Sequence, residues 1–195
     1  MAVILDLCGG TGAWSKPYQT LDGYTVEVVT LPAEDVRHYA ARRGWLRHDS
    51  VHGVLAAPPC DHFSVSGAQY WRAKDEDGRT DDALSIVDAC LYIIRETRPN
   101  WWAMENPVGR LRTLRRAALG EPRLIFNPCD YGDAYTKKTL LWGKFELPAL
   151  NRVTPIRACA QGSWIQRLGG KSAKTKELRA VTPPGFARAF CSANR

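Results

Sequence analysis

Two residue types able to do covalent and acid–base chemistry stand at the ends of short apolar runs. The first is Cys60, in Pro58-Pro59-Cys60-Asp61-His62-Phe63-Ser64, which follows His52-Gly53-Val54-Leu55-Ala56-Ala57. Two prolines stiffen the backbone where a buried strand would end, so the thiol is expected in a fixed, partly exposed position. A cysteine at a strand end, ahead of a helix whose N-terminus favours a thiolate, has the makings of a nucleophile. In apolar surroundings the same residue is an inert core side chain. The second is Glu105, which follows Trp101-Trp102-Ala103-Met104 and precedes Asn106-Pro107. A carboxyl at such a strand end is partly desolvated, which raises its pKa toward general-acid duty. The alternative is a glutamate that caps the following turn.

The elements needed to position these groups are legible. Val3-Ile4-Leu5 meets Asp6 and then Cys8-Gly9-Gly10-Thr11-Gly12, the strand–loop–helix opening of an α/β unit. A second strand is expected over Tyr24–Leu31, ended by Pro32, with Asp35-Val36-Arg37 opening another short segment. His52–Ala57 reads as a third strand, Trp101–Met104 as a fourth and Leu140–Gly143 as a further one. Apolar residues between Thr80 and Thr97 predict a largely buried helix capped by Thr80 or Asp81. Alternating strands and helices imply an α/β, doubly wound, mostly parallel sheet with helices on both faces. Ligands gather at the carboxyl ends of such strands. The turns Asp6–Gly12, Pro58–Ser64 and Glu105–Gly109 all fall at those ends.

The chain has 195 residues, of which 45% are apolar, enough for one domain with a real core. No run approaches a membrane span, and the start shows no leader pattern, so a cytoplasmic protein is expected. The six cysteines (8, 60, 90, 129, 159 and 191) form no CxxC pair or Cys/His cluster, which argues against a metal site or a disulfide framework. Charge is uneven: residues 1–100 carry 10 basic and 14 acidic side chains, residues 101–195 carry 17 and 6. That asymmetry fits a nucleic-acid binder, and equally a solvated basic face. Beyond Gly143 the chain turns Gly/Pro-rich and basic. The division expected is 1–143 as catalytic and cofactor-binding domain, 144–178 as a short loop-rich basic insert, and 179–195 returning to the first domain.

Taken in order, Asp6-Leu7-Cys8-Gly9-Gly10-Thr11-Gly12, Pro58-Pro59-Cys60-Asp61-His62-Phe63-Ser64 and Glu105-Asn106 resemble the cofactor loop, nucleophile loop and Glu-Asn loop of DNA cytosine carbon-5 methyltransferases. Asp35 stands where that family has an adenine-contacting acid, Asp77-Gly78-Arg79 resembles its Asp-x-Arg motif, and Ala180–Pro184 its closing Asn-Ala-Val-Pro segment. The likeness spans about residues 3–143 and 179–190. It implies a Rossmann-like fold with S-adenosylmethionine as cofactor. Asp6, Leu7, Cys8, Gly9, Gly10, Thr11, Gly12, Asp35, Val36, Pro58 and Pro59 would bind the cofactor. Catalysis would fall to Cys60, Glu105 and Asn106. DNA would be the partner of a minimal, phage-type, monomeric enzyme.

This sequence departs from the family at defined points. Cys8 replaces a phenylalanine, and Thr30-Leu31-Pro32 stands where an acid usually meets the ribose, with Glu27 and Glu34 as substitutes. Tyr135-Thr136-Lys137-Lys138-Thr139 replaces Gln-x-Arg-x-Arg, keeping charge but losing the bidentate fork. Nucleic-acid contacts are expected from His62, Ser64, Lys137, Lys138, Trp164, Arg167, Lys171 and Lys174, with Trp164 placed to stack on a base. His62 alternatively packs within its own loop. So short an insert offers few side chains to base edges, so brief or relaxed target specificity is expected. Other readings are modification of RNA or a nucleotide, transfer of a different group, and a silent nucleic-acid-binding module.

Overall fold

β-Branched and aliphatic runs build the strands of a single six-stranded sheet. The structure is a computed structural model, and it describes residues 1–160, 162–168 and 172–195, with backbone only at residues 166, 173, 174 and 176. The strands are β1 (Ala2–Leu7), β2 (Tyr24–Val29), β3 (Gly53–Ala56), β4 (Trp101–Pro107), β5 (Leu124–Phe126) and β6 (Thr139–Lys144). Their order is β2-β1-β3-β4-β6-β5. The first four run parallel, and β6 lies antiparallel to both β4 and β5. This is the doubly wound, mostly parallel α/β sheet expected from the alternating pattern.

Side-chain alternation divides the core into two. Of the helices α1 (Lys16–Gln19), α2 (Val36–Ala41), α3 (Trp71–Glu76) and α4 (Arg79–Thr97), α2 and α4 face Leu5 and Leu7 of β1, Val54 and Ala56 of β3 and Met104 of β4. Ile4, Leu55, Trp101 and Ala103 face the opposite way. There they meet Trp14 and Tyr18, from the turn and short helix that follow β1, and Phe186 and Phe190 of the C-terminal helix Pro184–Ala193. In register, Leu7 pairs with Ala56 and Ala56 with Met104. The loops after β1, β3 and β4 therefore leave the sheet side by side.

Several boundaries differ from expectation. β2 stops at Val29, and Thr30 instead accepts a hydrogen bond from the Gly10 amide at 3.2 Å. Gly78, in left-handed conformation, holds the N-cap position of α4, while the Thr80 hydroxyl donates to Asp75 at 2.6 Å. β4 extends through Glu105 and Asn106, so both lie within the strand. β5 was not foreseen: it has three residues and no apolar alternation long enough to register.

Within 144–178 the described residues hold a short helix at Trp164–Arg167 and the start of another, Ala173–Ala180. The stretch before them lies along the 129–134 turn, with the Asn151, Val153 and Ile156 amides donating to the Asp130, Cys129 and Ala134 carbonyls. Among the described residues no helix is long and apolar enough to cross a membrane.

Candidate active site

β4 delivers two polar side chains in succession, and alternation sends them to opposite faces of the sheet. Asn106 is fully buried and its amide donates to the Pro58 carbonyl at 3.1 Å. That bond ties the end of β4 to the loop bearing Cys60. Glu105 turns the other way, to a narrow cavity lined also by Phe126, Lys137, Thr139, Thr182, Pro183 and Phe186. The cavity offers about 10 Å³, room for about one water molecule. Neither Glu105 Oε2 nor Asn106 Oδ1, both buried, has a hydrogen-bond partner among the described residues.

Electrostatics link the thiol to the acid. Burial, reinforced by the Glu105 charge, pushes the Cys60 thiol up to about 11, while Lys137 and Arg179 pull it down. Burial likewise raises Glu105, and Lys137 opposes it. Lys137 lines the cavity beside Glu105 and favours the ionised form of both Cys60 and Glu105, whereas Cys60 is not among the residues lining that cavity. Cys60 is half-buried at the loop's edge, but the expected thiolate-favouring helix does not follow it directly. A turn comes first, and then a 3-10 segment at Val65–Tyr70, whose N-cap is Ser64.

The glycine loop after β1 closes on Asp6 and is open beside Gly10. Gly10 and Gly12 take left-handed conformations, and a side chain at Gly10 would meet open space. At Gly9 a Cβ would come within 2.4 Å of the Asp6 carboxyl, so the loop closes on that residue. Asp6 is fully buried, accepts from the Ser15 hydroxyl at 2.5 Å, and is pushed up to about 6 by desolvation. Its other oxygen has no partner among the described residues. Leu7 belongs to the core, and Cys8, at φ 58°, packs its sulfur 4.0 Å from that of Cys90. Thr11 is exposed, Pro58 buried and Pro59 exposed.

The acids expected to contact an adenine and a ribose are engaged elsewhere. Asp35 caps α2 and pairs with Arg37, which holds its carboxyl down at about 2, and Val36 is buried. Glu27 is held by Arg47, His48 and Tyr39, and Glu34 by Arg42.

Among the basic residues Lys137 is half-buried and lines the cavity beside Glu105, Lys138 is exposed, and Arg179 approaches Ser66 at 3.4 Å. Trp164 is 40% exposed and packs on Tyr135 with ring centroids 5.3 Å apart. Arg167 is exposed and donates to the Ala158 carbonyl. Burial lowers the His62 pKa, and its Nδ1 lacks a partner among the described residues. Lys171 and the Lys174 side chain lie outside the described residues. No cluster of His, Cys, Asp and Glu among the described residues could hold a metal ion.

Sequence reasoning missed Arg179, Lys74 and Arg110. Arg179 stands beside the noticed Ala180–Pro184 segment, and Arg110 directly follows the noticed Glu105–Gly109 turn. Lys74, inside the charged run Trp71-Arg72-Ala73-Lys74-Asp75-Glu76, looks like an ordinary solvated lysine.

No protein-family model matches the chain, and no curated protein does. Among solved structures it is similar to an E. coli protein assigned as a DNA modification methyltransferase encoded within a prophage. That match has a TM-score of 0.49 and 15% identity, over 89% of this chain and 56% of the other. It is also similar to the Entamoeba histolytica methyltransferase EhMeth, at TM-score 0.44 and 12% identity, over 89% of this chain and 61% of that one. The chain thus spans less than two thirds of the length of either structure.

Proposed function

We propose that this chain methylates carbon-5 of cytosine in DNA, with Cys60 as nucleophile and Glu105 as acid. The observation that carries the reading is the Asn106–Pro58 hydrogen bond, which ties the Cys60 loop to the strand bearing Glu105. The Cys60 thiol and the Glu105 carboxyl, whose charges act on one another, would then act on one ring.

Carbon-5 of cytosine is too weak a nucleophile to take a methyl group unaided. Addition of the Cys60 sulfur to carbon-6 breaks the aromaticity and leaves carbon-5 enamine-like. Glu105, favoured in its protonated form by burial, donates a hydrogen bond or its proton to N3 and stabilises the adduct. Lys137 favours the sulfur anion as the thiol proton passes to solvent water. Once carbon-5 carries the methyl group, loss of its remaining proton to water expels Cys60 as the thiolate, and N3 returns its proton to Glu105, which restores the aromatic ring.

S-adenosylmethionine, when bound, supplies the electrophilic methyl group that carbon-5 takes. The residues that would hold it are the Asp6–Gly12 loop, Val36, Pro58 and Pro59, and the open space beside Gly10 fits such a ligand. Asp35 fits less well, since it would have to give up Arg37 to contact an adenine through its carboxylate.

The base must leave the duplex stack to reach the thiol, at a cost of a few kcal/mol. Phosphate contacts from Lys137, Lys138, Arg167, Arg179 and the basic stretch around Lys171 and Lys174 would offset that cost. The gap beside Glu105 must widen to admit a pyrimidine ring.

DNA carrying 5-fluorocytosine tests the reading, because carbon-5 then has no proton to lose. With S-adenosylmethionine the wild-type chain should form a covalent adduct that peptide mapping places on Cys60, and Cys60→Ala should form none. A wild-type chain that traps no DNA, and leaves no 5-methylcytosine in the DNA of expressing cells by nucleoside mass spectrometry, would overturn it.

A further inference from the structure

We propose that Lys74 and Arg110 are positioning residues that clamp the Cys60 loop by its backbone, an inference that rests on Cys60 being the nucleophile. The Lys74 ammonium donates to the Asp61 carbonyl, and Arg110 Nε donates to the His62 carbonyl at 3.0 Å. The Arg110 amide takes the next carbonyl, Phe63, at 2.9 Å. The Cys60 carbonyl accepts from the Phe63 and Ser64 amides at 3.0 and 2.8 Å. Four consecutive carbonyls are therefore occupied, and the Pro58 carbonyl is held by Asn106.

The cations are built in rather than draped over the surface. Lys74 is 8% exposed, and the Arg110 side chain is 12% exposed. The Arg110 guanidinium lies over the Trp71 ring at 4.8 Å, with Nη1 on Asp75 at 2.8 Å and Nη2 on Thr80 at 2.7 Å. The Thr80 hydroxyl closes the network on Asp75. A rigid guanidinium can bridge three acceptors at fixed angles, which a lysine cannot. Burying two cations carries a desolvation cost that an apolar pair of similar volume would avoid. Their placement on adjacent carbonyls of one catalytic loop gives that cost a purpose. A loop free to rotate about Asp61 or His62 would carry the thiol away from Glu105, and a displacement of about 1 Å can cost about a hundredfold in rate.

The test compares wild type with Arg110→Met, Arg110→Lys, Lys74→Met and the milder Asp75→Asn, which loosens Arg110 from an exposed site. Four quantities are read: single-turnover methyl transfer, S-adenosylmethionine affinity, amide exchange across residues 61–64, and the rate at which iodoacetamide alkylates Cys60. The clamp predicts faster exchange at 61–64 and faster Cys60 alkylation in Arg110→Met and Lys74→Met. It predicts methyl transfer slowed by about a hundredfold with S-adenosylmethionine affinity unchanged. Arg110→Lys should recover part of the loss and Asp75→Asn should show a smaller one, so both remain informative if Arg110→Met fails to fold. Exchange at 61–64 equal to wild type, or looser exchange with undiminished transfer, would overturn the clamp. If the wild type transfers no methyl group, the proposed reaction fails while exchange and alkylation still decide the clamp: faster rates support it, and unchanged rates overturn it.

Discussion

Gly109 lies so close to Phe63 that a Cβ built on it would sit 1.9 Å from the Phe63 carbonyl oxygen. The contact is part of a small antiparallel bridge between Ser64 and Gly109, flanked by the Val65 amide on the Val108 carbonyl at 3.0 Å. Backbone meets backbone there, so no side chain can yield.

Gly109→Ala should therefore push the loop after β4 away from the Cys60 loop. Forcing an atom into a packed contact costs about 1–3 kcal/mol. In a chain of this length that lowers the melting temperature by about 2–4 °C per kcal/mol. If Cys60 is the nucleophile, as proposed, methyl transfer should fall further than stability does, because the bridge also orients the Cys60 loop. A calorimetric melt and a single-turnover assay on the same sample check both, and a wild-type melt would show that the close approach is dispensable.

Asn106→Ala strands the Pro58 carbonyl, since the Asn106 amide is its partner in a site where Asn106 is fully buried. Leaving a buried acceptor unsatisfied costs about 1–3 kcal/mol. The expected result is a lower urea midpoint together with a loss of rate. Asn106→Asp should do worse, because the replacement keeps the size, removes the donor and places a carboxylate beside a carbonyl oxygen. Denaturant titration of the two variants orders them, and the order Asp above Ala would contradict this account of the pair.

Much of this arrangement could be read from residue order alone, and the physical reason is the parallel sheet. Cys60 and Glu105 each follow an apolar run, and in a sheet whose neighbouring strands run the same way, residues after such runs must share an edge. Other features left no trace because their logic is tertiary. Lys74 is buried by the loop it binds, so its neighbours in sequence say only that it lies on a charged helix. Arg37 neutralises Asp35 from two residues away, a pairing compatible with many folds. The cap of α4 fell to Gly78 because Thr80 is drawn into the Arg110 network.

Cys60 should titrate late in the free protein. With its thiol pushed up to about 11, chiefly by burial, alkylation by iodoacetamide should rise about tenfold per pH unit from pH 7 to 9. Glu105→Gln removes a like charge and should shift the profile to lower pH. Lys137→Met removes the favourable cation and should shift it higher. Rates of Cys60 modification followed by mass spectrometry give the three profiles, and a Lys137→Met profile identical to wild type would remove the lysine from the site.

Asp6 makes the stability of the glycine loop after β1 depend on pH. Its folded pKa of about 6 stands above the ordinary value of 3.8 because burial disfavours the charged form. A raised folded pKa means that the native state holds the proton more tightly than the unfolded chain does. The stabilising contribution is thus fully present below about pH 4 and is lost as pH rises through about 6. At 1.36 kcal/mol per pKa unit the loss amounts to about 3 kcal/mol. Asp6→Asn carries no titrating proton and still offers Ser15 a carbonyl oxygen, so its stability relative to wild type should improve between pH 4 and pH 7. Comparing the two melts across that window isolates Asp6 from every other titrating group. A constant difference would mean that Asp6 keeps an ordinary pKa, and that the loop closes on a charge the fold has found a way to solvate.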